Sequence, residues 1–154
     1  LEESARVKLA VAETLSEALY LLSARLRHSG IVVEERLAAD LPRIESRRND
    51  LLHIFLNILN NAVDAMPDGG RLTVTSSLTD GRVVMGFADT GPGIPAKTLE
   101  RIFEPLYTTK PSAQGTGLGL SVSLALARSL AGDIQVESVR GKGTSFRVRL
   151  PLAA

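Results

Sequence analysis

With 154 residues, 44% of them hydrophobic and 23% charged, the chain carries enough apolar material for one domain with a real core and needs no staple to hold it. Lys and Arg number 18 against 17 Asp and Glu, so the net charge of +1 leaves no electrostatic footprint for nucleic acid or an anionic membrane, and no dense run of cations supplies one locally. Without cysteine there is neither a disulfide framework nor a thiolate metal site, and without an apolar run of roughly 18 residues or a signal-peptide start the expectation is a soluble, cytoplasmic domain with no membrane contact of its own.

Leu1 to Lys8 show no clear pattern and read as the tail of something upstream; a chain beginning at Leu1 without Met reads as a piece of a longer protein. Val11, Leu15, Ala18, Leu19, Leu22 and Leu26 follow helical spacing, with Glu13, Glu17 and Arg25 between them, so an amphipathic helix is expected from about Val11 to His28, capped by Gly30. Ile31 to Leu37, rich in β-branched residues, reads as a strand, and Asp40-Leu41-Pro42 precedes a short edge segment around Ile44.

The next stretch, Asn49 to Met66, organises the rest. It is apolar almost all round a helix except for one stripe, His53, Asn57, Asn60, Asn61 and Asp64. Asparagine competes for backbone hydrogen bonds and is a mediocre helix former, so several of them on a buried helix cost stability, and such a violation tends to mark a functional site. Read as structure alone, these amides would bridge to a neighbouring loop.

Pro67-Asp68-Gly69-Gly70 turns the chain into a half-buried strand, Arg71 to Leu78. Thr79-Asp80-Gly81-Arg82 makes a hairpin into Val83 to Ala88, whose two faces are both apolar or small, as a central strand requires. That strand delivers Asp89 just before Thr90-Gly91-Pro92-Gly93-Ile94-Pro95. A helical turn is expected around Leu99 to Phe103. The aperiodic run through Gln114 reads as a mobile lid. Gly115-Thr116-Gly117-Leu118-Gly119-Leu120 opens a helix carrying Val122, Leu124, Ala125, Ala127 and Leu130 and closed by Gly132. Two strands finish the chain, with Ile134 and Val136, then Phe146, Val148 and Leu150, facing in. The fold expected is a two-layer α/β sandwich, its sheet mixed and largely antiparallel, with helices on one face.

Three separated features carry chemistry. A helix N-terminus behind a glycine-rich turn offers unpaired N–H groups and a partial positive charge, a natural seat for phosphate. Asn61 offers the neutral carbonyl oxygen of a site for Mg²⁺, which takes few protein ligands beside phosphate oxygens and water. Asp89, if ionised, accepts a hydrogen bond from the exocyclic amine of adenine, where guanine would present a carbonyl. The glycine run lacks the Lys-Ser/Thr ending of a P-loop. Its G-x-G-x-G spacing also misses the dinucleotide fingerprint.

The sequence strongly resembles, from about Val7 to Leu150, the catalytic ATP-binding domain of two-component sensor histidine kinases, in the superfamily that includes DNA gyrase and the MutL mismatch-repair proteins. Asn57-Ile58-Leu59-Asn60-Asn61-Ala62 is similar to the asparagine box, and Asp89-Thr90-Gly91-Pro92-Gly93-Ile94-Pro95 to the first glycine box. Phe103-Glu104-Pro105 with Thr108-Thr109-Lys110 is similar to the phenylalanine box, Gly115 to Leu120 to the second glycine box, and Gly141-Lys142-Gly143-Thr144 to the last motif. The usual Gly-Asp is missing around Glu45-Ser46-Arg47-Arg48-Asn49.

The resemblance implies Asn61 on Mg²⁺, Asn57 near the phosphates, and Asp89 on the adenine amine with Thr144 assisting through water. Gly91 and Gly93 would let the backbone approach the base, whose pocket Ile94 lines. Gly115, Thr116, Gly117, Leu118, Gly119 and Leu120 would close over the phosphates, and Lys110 would reach the γ-phosphate. Asp64, whose carboxylate would repel phosphate, has an outer role. ATP-hydrolysing relatives carry a glutamate at the position of Asn57; an amide cannot take a proton at pH 7, so the site suits transfer to an external nucleophile rather than to water.

That nucleophile is implied to be a histidine on an upstream dimerisation domain of the same parent protein, which then feeds a response regulator. Neither His28, at a helix end, nor His53, on the polar stripe, is a good acceptor. Residues 1–8 then fall to an upstream linker or helical domain and residues 9–152 to the catalytic domain, expected to be monomeric in isolation in a parent that can be membrane-anchored. A non-catalytic switch reporting ATP or ADP, and a serine kinase acting on an anti-sigma-factor partner, would share the pocket.

Overall fold

The computed structural model describes residues 5–107 and 119–154. Its elements in chain order are β1 (Val7–Leu9), α1 (Val11–Leu21), α2 (Ser23–His28), β2 (Ile31–Arg36), β3 (Ile44–Ser46), α3 (Arg48–Ala65), β4 (Gly70–Thr79), β5 (Arg82–Asp89), α4 (Ala96–Leu99), α5 (Gly119–Ser129), β6 (Asp133–Val139) and β7 (Gly143–Pro151). Five strands form one sheet in the order β2-β4-β5-β7-β6. β2 and β4 run parallel, as a crossover through α3 allows, and every other pair is antiparallel. The sheet is therefore mixed and largely antiparallel, with α1, α3 and α5 packed over one side, the two-layer sandwich expected.

Strand alternation decides which side the helices cover. Leu72 and Val74 of β4, Val83, Met85 and Phe87 of β5, and Phe146, Val148 and Leu150 of β7 are all buried beneath the helices. Phe55 of α3 meets Phe87 with ring centroids 5.6 Å apart and tilted by 51°, a contact at the centre of the core. On the opposite side Thr73, Thr75, Val84, Ala88, Ser145 and Arg147 line an open polar trough. That explains the small residues of β5: among the described residues no helix covers one of its two apolar-looking faces.

Three local expectations are corrected. The helix expected from Val11 to His28 is interrupted at Leu22 (φ −99°, ψ 4°). Leu22 N–H still donates to Ala18 O at 3.1 Å, and Leu22 O still accepts from Leu26 N–H at 2.9 Å, so Leu15, Ala18, Leu22 and Leu26 stay buried through the break. The helical turn expected around Leu99 to Phe103 forms earlier, as α4, because Pro95 sets the first turn and its carbonyl accepts from Leu99 N–H at 2.9 Å. Helix α5 closes with Ala131 in the left-handed region (φ 60°) and the Gly132 N–H returning to Ala127 O at 2.9 Å. Gly132 is needed there for space, since a Cβ would meet Arg149 O at 2.2 Å.

At the other end, Val7 and Lys8, which show no pattern in the sequence, form β1 with Leu9 and pair with β3, apart from the five-stranded sheet. The edge strand β6 is tied to β7 by a two-pronged ion pair in which the Arg149 guanidinium donates to Asp133 at 2.9 and 2.6 Å and holds that carboxyl below its ordinary 3.8. Asp133→Asn is expected to lower the melting temperature by no more than about 2 °C at neutral pH, because surface pairs contribute little. A carboxyl with a depressed folded-state pKa stabilises above its ordinary value and loses that contribution as pH falls through the lowered one. Melts of the two proteins should therefore converge below pH 3.8.

Candidate nucleotide site

Helix α3 is the wall of the site. Leu51, Ile54, Phe55, Ile58, Leu59, Ala62 and Val63 bury its core-facing surface, which leaves the Asn57 face aimed along the edge of the sandwich. Asn57 and Asn61 stand one turn apart, and one further turn brings Ala65 onto the same face. The two ends of this row are seated on different segments. At the first, the Asn57 Nδ2 donates to Gly119 O at 3.0 Å and to Ser123 Oγ at 2.8 Å, locking the helix to the first turn of α5. At the other, Gly91 comes so close to the end of α3 that a Cβ there would lie 3.0 Å from Ala65 O and 3.1 Å from Asp89 Oδ1. Asn61 lies between these two anchors.

Asp89 closes the second side. β5 and β7 pair with Ala88 opposite Ser145, which brings the start of β7 beside the end of β5. There the Asp89 Oδ1 accepts N–H bonds from Gly91 at 3.0 Å and Thr144 at 3.2 Å. The residue is only 9% exposed, and burial pushes its carboxyl up from the ordinary 3.8 against the opposing pull of those two N–H groups. Thr144 thus reaches Asp89 through its backbone, while its hydroxyl shares a 2.9 Å hydrogen bond with Ser138. Ser138 Oγ also accepts from Ile94 N–H at 2.7 Å, fixing the loop that follows Asp89. Gly93 adopts φ +77°, and a Cβ on it would strike Val139 O at 2.4 Å, so the loop sits directly on the β6–β7 turn. Ile94, half-buried against the core, also lines an apolar groove of about 480 Å³ with Pro95, Leu99 and Val139.

The structure thus brings Asn57, Asn61, Asp89, Gly91, Gly93, Ile94, Gly119 and Thr144 around one edge of α3 and the β5–β7 end of the sheet. Leu120 follows Gly119 in the first turn of α5 and packs half-buried against the core. Lys110, Gly115, Thr116, Gly117 and Leu118, together with the lid from Thr108 on, lie outside the described residues. His53 is exposed, and His28 is the last residue of α2. The polar stripe also proves to be divided: Asn60 and Asp64 turn to Arg25 of α2, the latter at 2.9 Å, rather than to α5.

Ser123, Ser138 and Arg25 escaped the sequence reading. Ser123 is one turn beyond Gly119 on the same face of α5 as the buried Ala127, and Ser138 shares the inward face of Ile134 and Val136, so both were detectable as hydroxyls in apolar positions. Arg25 gave no signal, because an arginine on an amphipathic helix reads as solvated.

Among the described residues no group of three or more His, Asp or Glu could hold a metal ion by itself. The donors on the Asn57 face are amides, a set suited to a hard cation that brings its own phosphate and water ligands. No described helix is long and apolar enough to cross a membrane.

This helix-backed mixed sheet has the architecture of histidine-kinase catalytic domains. The chain belongs to the histidine kinase-, DNA gyrase B- and HSP90-like ATPase family, whose model matches residues 46–154. It is 40% identical over 143 residues to sporulation kinase E of Bacillus subtilis (strain 168), an alignment that takes in 92% of this chain and 19% of that kinase. Full-length ShkA in complex with AMPPNP superposes with a TM-score of 0.86 at 30% identity, over 99% of this chain and 32% of that one. The nucleotide-free catalytic domain of the histidine kinase ThkA superposes at 0.85 and 27% identity, over 97% of this chain and 99% of that one. The chain thus spans about a fifth of the curated kinase that it matches and nearly all of an isolated catalytic domain.

Proposed function

We propose that this chain binds Mg-ATP and donates the γ-phosphate to a histidine on a separate dimerisation domain of the same parent protein, which in turn feeds a response regulator. The observation that carries the reading is Asn57, an amide whose Nδ2 is committed to Gly119 O and Ser123 Oγ where hydrolysis would need a proton acceptor. Asp89 receives the adenine amine on the carboxylate oxygen that the backbone N–H groups do not take, with Thr144 beside it, and Gly91, Gly93 and Ile94 bound the base. Asn57, Gly119 and Leu120 stand at the phosphate end; Gly115, Thr116, Gly117, Leu118 and Lys110 are the further residues proposed to act on the phosphates.

Bound through the Asn61 carbonyl oxygen, Mg²⁺ would supply charge neutralisation on the phosphates. The imidazole nitrogen forms a bond to the γ-phosphorus as the bond to the β,γ-bridging oxygen breaks, and ADP leaves. What this chain contributes is position and charge, with no base for water.

The test is to add the intact chain and γ-labelled ATP to a separately expressed upstream helical segment of the parent. Label stable to base and labile to acid supports the reading, and Asn61→Ala should remove most of it by abolishing the Mg²⁺ dependence of binding. Label with the reverse stability would identify a serine kinase. No label with intact ATP binding would identify a nucleotide-reporting switch.

A further inference from the structure

The hydroxyl of Ser138 joins the two segments that the Mg-ATP reading places around the base. Its Oγ lies 2.7 Å from Ile94 N, 3.1 Å from Gly143 O and 2.9 Å from Thr144 Oγ1. The loop that carries Ile94 rests on the β6–β7 turn a second time, through Gly141 N–H donating to Pro92 O at 2.6 Å. Thr144 is buried and gives its backbone N–H to the Asp89 carboxylate.

A hydroxyl has one proton to give and two lone pairs to fill, and the three partners divide these among them. Ile94 N–H can only donate and Gly143 O can only accept, so the Ser138 proton goes to Gly143 O and one lone pair to Ile94. All three contacts are then satisfied only if Thr144 donates to Ser138. With its proton spent there, the Thr144 hydroxyl has lone pairs alone to offer any other group.

We propose, resting on the Mg-ATP reading, that Ser138 is a positioning residue for base selection: by taking the Thr144 proton it makes that hydroxyl a pure acceptor beside Asp89. An amine, as in adenine, finds partners between the two; a carbonyl at the same place, as in hypoxanthine, finds none. A hydroxyl that only tied the loop to the β6–β7 turn would use the same contacts without preferring one base.

Calorimetric titration of the intact chain with Mg-ATP and with Mg-inosine triphosphate (Mg-ITP), whose base carries that carbonyl, separates the two. Ser138→Ala releases the Thr144 proton for the carbonyl, so the preference for Mg-ATP is expected to narrow about fivefold, mostly through tighter Mg-ITP. Ser138→Thr keeps the hydroxyl and should hold the wild-type preference within about twofold. Thr144→Val removes the group through which Ser138 acts, and on that background Ser138→Ala should move the preference by less than about twofold.

Equal losses on the two nucleotides, an unmoved preference, or the same narrowing on the Thr144→Val background would each overturn the proposal. Should Ser138→Ala not fold, Ser138→Cys takes its place, because a thiol is a weak donor and acceptor, and an unmoved preference there overturns it. Wild-type protein that bound neither nucleotide would instead overturn the Mg-ATP reading and this one with it.

Discussion

Asp89→Asn is expected to weaken Mg-ATP binding about a hundredfold while leaving the nucleotide-free protein as stable as the wild type or more so. A hydrogen bond to a charged acceptor contributes about 1.5–3 kcal/mol, and the new amide would turn a donor toward the donor of adenine. The fold should not suffer, because an asparagine Oδ1 can accept the same N–H groups of Gly91 and Thr144.

Stability should in fact rise, and the sign follows from the direction of the pKa shift. Burial raises the Asp89 carboxyl in the folded state above its ordinary 3.8, so the folded protein loses stability as pH climbs through that raised value. Asparagine escapes the loss. The advantage of the variant in thermal melts should open as pH rises above 3.8 and vanish below it. Retained affinity in a calorimetric titration would show that the carboxylate does not hold the base, and a variant that melts lower at neutral pH would show that its charge is compensated in the apo protein.

Gly143→Ala is expected to cost about 4 kcal/mol or more, one of the largest effects that a single methyl group can produce. Gly143 has φ +145°, a region closed to side chains, and its added Cβ would lie 2.0 Å from Asp89 O, 3.0 Å from Asp89 C and 3.3 Å from Thr90 Cα. All three are backbone atoms at the end of a central strand, so no rotamer relieves the clash. Either β7 lifts away from β5 or Asp89 moves, and with it the site.

Gly141 supplies the control. It too has positive φ, at +84°, but nothing lies within 4 Å of its Cβ position, so Gly141→Ala should cost only the left-handed penalty of about 1–2 kcal/mol. Urea midpoints compared at equal m-values would test the contrast. Similar losses at the two glycines would mean that backbone conformation matters there and close approach does not.

Much of the sandwich is legible because periodicity reports which side of an element meets the core. The alternation in β4 and β7 and the almost continuous apolar surface of α3 are consequences of burial, and burial leaves its pattern in the residues. The site is legible for a related reason. Asn57, Asn61 and Asp89 break those patterns, and the glycines beside Asp89 stand where a Cβ would collide with Ala65 O and Val139 O. Two elements with too few residues for a period were missed or misplaced, β1 with three residues and α4 with four, whereas the equally short β3 was placed by the Asp40-Leu41-Pro42 turn before it.

The sequence by itself determined the sandwich, the buried amide-bearing helix, the strand-end carboxylate and the family to which the chain belongs. These are local matters of period, turn chemistry and residue type. Only the tertiary structure decided how the stripe on α3 is divided, with Asn57 held by the start of α5 and Asp64 with Asn60 held by Arg25 of α2. It also decided that no described helix covers the second face of β5 and that β1 pairs with β3. Those outcomes depend on which surfaces meet across long separations in the chain, as with Arg25 and Asp64, 39 residues apart. A polar side chain carries no mark of the distant partner that will satisfy it.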